Sequence, residues 1–104
     1  MKVSREPDKL NISSGQRKIQ DFLTKAGLLV ESEKTIGSFR VDIFLPELNT
    51  IVEFDGPWMH HSVRHETLRD VTLKLLGVKE VLHVSGTSKA ELKELARKLG
   101  YEGN

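Results

Sequence analysis

The feature that most constrains this chain is a pair of short apolar segments, each interrupted by acids and joined by a tight turn. Val41-Asp42-Ile43-Phe44-Leu45 is followed by Pro46-Glu47-Leu48-Asn49 and then by Thr50-Ile51-Val52-Glu53-Phe54-Asp55. β-Branched and aromatic residues favour a pleated, half-buried surface, and Pro and Asn at the joint favour a turn, so residues 39 to 55 read as a β-hairpin. Side chains alternate across a strand, which sets Asp42 opposite in direction to Val41, Ile43 and Leu45 and groups Ile51 with Glu53 and Asp55. With the turn centred near residues 47 and 48, antiparallel pairing puts position 42 across from 53 or 54, with β-carbons about 5.5 Å apart. Three carboxylates are then expected to converge. Acids that close repel and raise one another's pKa, so the arrangement calls for a cation. Two or three carboxylate oxygens plus water are the donors Mg²⁺ prefers. A solvated face of an edge hairpin explains any one of these acids; it explains three of them poorly on strands otherwise built from Val, Ile and Phe.

The rest of the chain supplies elements to cover such a hairpin. Residues 1 to 12 are polar and aperiodic and read as a loose arm, and residues 101 to 104 as a tail, leaving one domain over 13 to 100. Ser13-Ser14-Gly15-Gln16 has the Ser-x-x-Gln form of a capping box, and Ile19, Phe22, Leu23 and Ala26 follow at helical spacing up to Gly27. Leu28 to Ile36 is a strand candidate, ended by Gly37-Ser38. From Ser62, the positions Val63, Leu68, Val71, Leu75 and Leu76 allow a helix ending at Gly77, and Val81, Leu82 and Val84 make a short strand in which His83 reads as structural. Ser88 with Glu91 forms a second capping box, before Leu92, Leu95, Ala96 and Leu99. The order α-β-β-β-α-β-α predicts an α/β domain with a mixed four-stranded sheet flanked by helices.

Composition narrows the chemistry. Among 104 residues there is no cysteine, which removes disulfides, thiolate ligands and cysteine nucleophiles, so a metal site must use carboxylates and histidines and points to Mg²⁺ or Mn²⁺. Sixteen Lys and Arg against fifteen Asp and Glu give a net charge of +1, far from the footprint of a dedicated nucleic-acid binder. No apolar run approaches the length of a membrane span, and the polar opening MKVSREPDKLN predicts no signal peptide, so an intracellular protein is expected. Beyond the acidic strand, Gly56-Pro57-Trp58-Met59-His60-His61 brings an aromatic and two imidazoles. Histidine can serve as ligand, base or acid; His60 is the preferred functional histidine, His61 the reserve, and His65 reads as an ordinary helix residue. Arg40, Arg64 and Arg69 frame the region and suit phosphate contact, with ion pairs to Glu66 and Asp70 as the plain alternative.

Val41-Asp42-Ile43-Phe44-Leu45-Pro46, Ile51-Val52-Glu53-Phe54-Asp55-Gly56, a histidine a few residues on, and Arg69-Asp70-x-x-Leu73-x-x-x-Gly77 together resemble the PD-(D/E)XK nuclease superfamily. The likeness is to the branch holding the very-short-patch repair endonuclease and the EDxHD homing endonucleases of phage introns, and it runs from about Ser13 to Val84. It implies a restriction-endonuclease-like core and a Mg²⁺-dependent endonuclease acting on double-stranded DNA in the cytoplasm of a bacterial or phage-infected host cell. By the resemblance, Asp42 matches the family's metal-binding aspartate and Glu53 and Asp55 complete the metal set. Asp55 falls where the repair enzyme has a histidine, His60 lines up with that enzyme's histidine after the Gly-aromatic loop, and Asp70 is a candidate to support it.

Two departures stand out. The family lysine is missing, because the residue two after Glu53 is Asp55. Gln16 stands where relatives often carry a glutamate, as a variant of the site, a capping residue or an inactivated position. A net charge of +1 cannot by itself supply the phosphate contacts of specific DNA binding, so an additional DNA-binding module outside this chain, or a homodimer cutting two strands, is expected. The alternative from another class is a catalytically decayed nuclease-fold module that binds DNA or protein. A phosphohydrolase for small substrates ranks below both, since no GxxxxGK[ST] phosphate loop is present.

Overall fold

The structure, a computed structural model, describes residues 12–56 and 67–101. Its elements are α1 (Ser14–Lys25), β1 (Glu31–Ile36), β2 (Phe39–Leu45), β3 (Thr50–Phe54), α2 (Leu68–Leu75), β4 (Glu80–Val84) and α3 (Lys89–Lys98). The expected α-β-β-β-α-β-α order is therefore the observed one. Four strands form a single mixed sheet in the order β1-β2-β3-β4, with β1, β2 and β3 antiparallel and β3 and β4 parallel. The parallel pair is what the intervening helix makes possible, since parallel neighbours need a long crossover.

Local chemistry explains most boundaries. Asn49 closes the β2–β3 turn in the left-handed region at φ 53°, which asparagine tolerates, and its Nδ2 donates to the Gly77 carbonyl at 2.7 Å. Ser88 and Glu91 form the expected reciprocal capping box at α3. At α1 only half of the box exists: Ser13 Oγ accepts from Gln16 N–H at 3.1 Å, but the Gln16 side chain turns inward instead of back to its cap. Helix α2 begins at Leu68, because Thr67 is extended (φ −79°, ψ 165°) and caps it, its Oγ1 accepting from Asp70 N–H at 3.0 Å; the expected start at Ser62 and His65 lie outside the described residues. β1 likewise starts at Glu31 and not near Leu28. The arm before Ile12 and the tail after Tyr101 lie outside the described residues.

The core has two parts, one on each face of the sheet. Ile19 and Leu23 of α1 and Leu95 of α3 pack on Ile43, Leu45, Val52 and Val84. Val41 and Ile51 pack on Leu73 of α2 with Val78 on the other side. β3 follows strict alternation, Ile51 to one side and Val52 to the other, but β2 does not. Val41 was expected to share a face with Ile43 and Leu45; it packs instead on the α2 side. The break falls at Asp42, where the β2–β3 ladder, paired at 43–52, 44–51 and 45–50, stops.

Candidate active site

Asp42 sits where β2 and β3 part. Beyond Ile43 the backbone ladder ends, and Phe54 N–H donates to Asp42 Oδ2 at 2.9 Å in place of a backbone carbonyl. The side chain thus substitutes for a rung of the sheet and is fixed by it. Across β1, positions 31, 32, 34, 35 and 36 pair with β2 while Glu33, the residue that faces Asp42, does not. Glu33 has φ 56°, a left-handed conformation uncommon for a residue that is neither glycine nor asparagine. Its carboxylate accepts from Arg40 Nε at 3.0 Å and from Gln16 Nε2 at 3.0 Å. Gln16 is 5% exposed, and its Nε2 also donates to the Asp42 carbonyl at 3.2 Å and to Gln20 Oε1 at 2.9 Å. Position 16 is therefore a buried neighbour of Asp42 and more than a capping residue. Gly15 lets α1 come this close, since a β-carbon there would overlap the Phe54 ring.

Glu53 is the second acid of the group. It is 8% exposed, and burial together with the Asp42 charge pushes its pKa up to about 7 against the opposing pull of Arg69. Asp42 is also raised, by burial first and by Glu33, although the Phe54 N–H and Arg69 pull it down. Arg69, from the first turn of α2, places Nη1 3.2 Å from Glu53 Oε2 and donates through Nη2 to the Arg40 carbonyl at 2.6 Å. The Nη1 contact is one of charge without hydrogen-bond alignment, so Oε2 stays buried with no hydrogen-bond partner. Arg69, read as a phosphate contact or an ion-pair partner, is held against Glu53, with its guanidinium 5.7 Å from the centre of the Phe39 ring.

The expected meeting of three carboxylates is not found. Asp42 and Glu53 come together, but Asp55 pairs with His83, whose Nδ1 lies 2.9 Å from Asp55 Oδ2. His83 Nε2 lies 2.8 Å from Asp70 Oδ2, and Asp70 is 3% exposed with its Oδ1 lacking a hydrogen-bond partner. Carboxylates on both sides favour imidazolium, since only the charged ring carries a proton on each nitrogen. Burial pulls the His83 pKa down, but the hydrogen bond to Asp70 and the Asp55 and Asp70 charges more than offset it, and the net shift is upward. Read locally, His83 was a structural residue of a buried strand. Its place beside the acids follows from the parallel β3–β4 pairing, which sets Glu53 opposite His83, and no local pattern announces that register. His60, His61 and Arg64 lie outside the described residues.

Among the described residues no three of His, Asp and Glu are arranged to hold a metal ion. The pair Asp42 and Glu53 nevertheless suits a hard divalent cation. Mg²⁺ uses one or two protein carboxylates and keeps water on its other positions, and Glu53 Oε2 is a buried carboxylate oxygen without a hydrogen bond. No helix among the described residues is long and apolar enough to cross a membrane. Comparisons with protein-family models, curated proteins and solved structures return no match to this chain.

Proposed function

We propose that the chain is the catalytic domain of a metal-dependent DNA endonuclease of the PD-(D/E)XK kind, hydrolysing phosphodiester bonds in double-stranded DNA. The observation that carries this reading is the half-buried Asp42 beside the buried Glu53 at the point where two strands part, with a Glu53 carboxylate oxygen that lacks a hydrogen bond. Holding two acids side by side partly out of water costs stability, and an ordinary structural role would have satisfied Glu53 Oε2 as it does Asp42 Oδ2. Asp42 and Glu53 would hold Mg²⁺ or Mn²⁺, which when bound polarises a phosphoryl oxygen and lowers the pKa of bound water.

The protein's own groups would do the rest. Asp42 is fixed by Phe54 N–H, and Gln16 of α1, which also donates to Glu33 of β1, braces its backbone carbonyl. A histidine would move the proton in place of the missing lysine; His60, from the loop, is the first choice, and His83, flanked by Asp55 and Asp70, is the second. Arg40 and Arg64 remain proposed phosphate contacts, and a homodimer or an additional DNA-binding module would supply the grip that a charge of +1 does not.

A decayed, non-catalytic nuclease-fold module is the second reading, favoured by Arg69 already standing against Glu53. Nicking of supercoiled plasmid with Mg²⁺, Mn²⁺ or chelator separates the two readings. The nuclease reading expects metal-dependent nicking that D42A abolishes, with H60A and H83A assigning the proton-moving group. Equal nicking by wild type and D42A, or none by wild type with either metal, would sink it.

A further inference from the structure

The Asp42–Glu53 pair is covered by a cation of the protein's own. Arg69 reaches it from α2, while its other amino group donates to the Arg40 carbonyl at 2.6 Å. The Arg69 side chain is 33% exposed and that of Glu53 only 10%, so the arginine forms the outer layer and the acid the inner one. A guanidinium in that position can leave toward water, whereas the acids cannot. Its hold on Glu53 is also incomplete. Nη1 is 3.2 Å from Oε2 but lacks hydrogen-bond alignment, and Oε2 has no other hydrogen-bond partner. A single guanidinium offsets one of two adjacent negative charges; a divalent ion offsets both and takes the carboxylate lone pairs directly.

We propose that Arg69 is the resident counter-ion of the Asp42–Glu53 pair, and that a divalent cation binds there only by displacing its guanidinium. The proposal rests on reading the acid pair as a cation site and adds to it a built-in competitor. Arg69 then sets the cation affinity of the site, and its removal strengthens binding where the loss of a phosphate contact would leave binding unaltered.

The test uses the whole chain and Mn²⁺ alone, without DNA. Calorimetric titration compares wild type, R69A and R69M, the last keeping an apolar chain beside Phe39, with circular dichroism to confirm folding. Both variants are expected to bind Mn²⁺ roughly two- to fivefold more tightly than wild type, the scale of a partly exposed ion pair. In wild type, titration with diamagnetic Mg²⁺ is expected to shift the Arg69 Nε–H resonance. Equal or weaker Mn²⁺ binding in folded R69A and R69M, or an Arg69 resonance unmoved at saturating Mg²⁺, would overturn the displacement while leaving the cation site standing. Absence of Mn²⁺ binding in wild type and both variants would instead remove the cation site, and the competitor with it.

Discussion

On one face of the sheet, Ile19, Leu23 and Leu95 close over Ile43, Leu45, Val52 and Val84, an entirely apolar contact. On the other, Leu73 of α2 closes over Val41 and Ile51, and the same helix sets Arg69 and Asp70 against Glu53 and His83. The first face needs only volume and shape to be stable. The second keeps ionisable groups partly out of water and leaves Glu53 Oε2 and Asp70 Oδ1 without hydrogen bonds, which weakens the fold. The difference sets apolar packing on one side and ionisable groups on the other.

That division can be broken by substitutions made on each side. The largest effect belongs to D42N, which removes the charge but keeps an oxygen to accept from Phe54 N–H, and is expected to lower metal-dependent nicking about a thousandfold, a loss of roughly 4 kcal/mol in barrier, while circular dichroism stays near wild type. On the apolar face, L23A is expected to cost about 3 kcal/mol in urea unfolding, because Leu23 is 1% exposed and its removal leaves a cavity. A much smaller loss would mean that the α1 face is loosely packed and the contrast overstated.

Q16E tests the border between the two sides. A carboxylate at position 16 would face Glu33 and the Asp42 carbonyl, both of which now accept from Gln16 Nε2. About 2 kcal/mol of stability should be lost above pH 6, and recovered in part by Mg²⁺ if the new acid joins the cation site.

The smallest effect is a gain. Glu53 titrates near 7 in the folded chain against about 4.5 when unfolded, so the native state holds the extra proton between those values. Its contribution is therefore complete below the unfolded value and is lost as pH rises through about 7. His83, also raised, contributes in the same sense, with stability present below 6.5 and lost as pH rises through its folded value. Thermal unfolding of wild type should accordingly weaken from pH 5 to pH 8. E53Q should remove part of that slope and be more stable than wild type by about 1 kcal/mol at pH 8, with no gain at pH 4. Equal slopes in the two proteins would mean that Glu53 is better solvated than its burial implies.

Much of the fold was legible because its signals are local. The caps at Ser13 and Ser88, the turn at Pro46 to Asn49 and the apolar strands each depend on a few neighbouring residues. The approach of Asp42 to Glu53 was legible too, since a tight hairpin fixes register. What escaped was decided across the sheet. Val41 changed faces where Glu33 bends β1, His83 reached the acids through a parallel neighbour 28 residues from Asp55, and Arg69 was drawn inward by the charge it found there. Strand periodicity carries no information on any of these. Asp55, placed one pleat from Glu53 by the alternation, is paired with a histidine that arrives from β4, a partner the hairpin alone does not reveal.

The hydrogen bond from Phe54 N–H to Asp42 makes this carboxylate part of the scaffold as well as of the proposed cation site. On the proposed function, a relative that did not cleave would still need something at position 42 to finish the sheet, whereas the Glu53 side chain keeps one carboxylate oxygen lacking a hydrogen bond. Retention of the aspartate alone would then be a poor guide to whether such a chain still cuts; the fate of its glutamate neighbour would be the better witness.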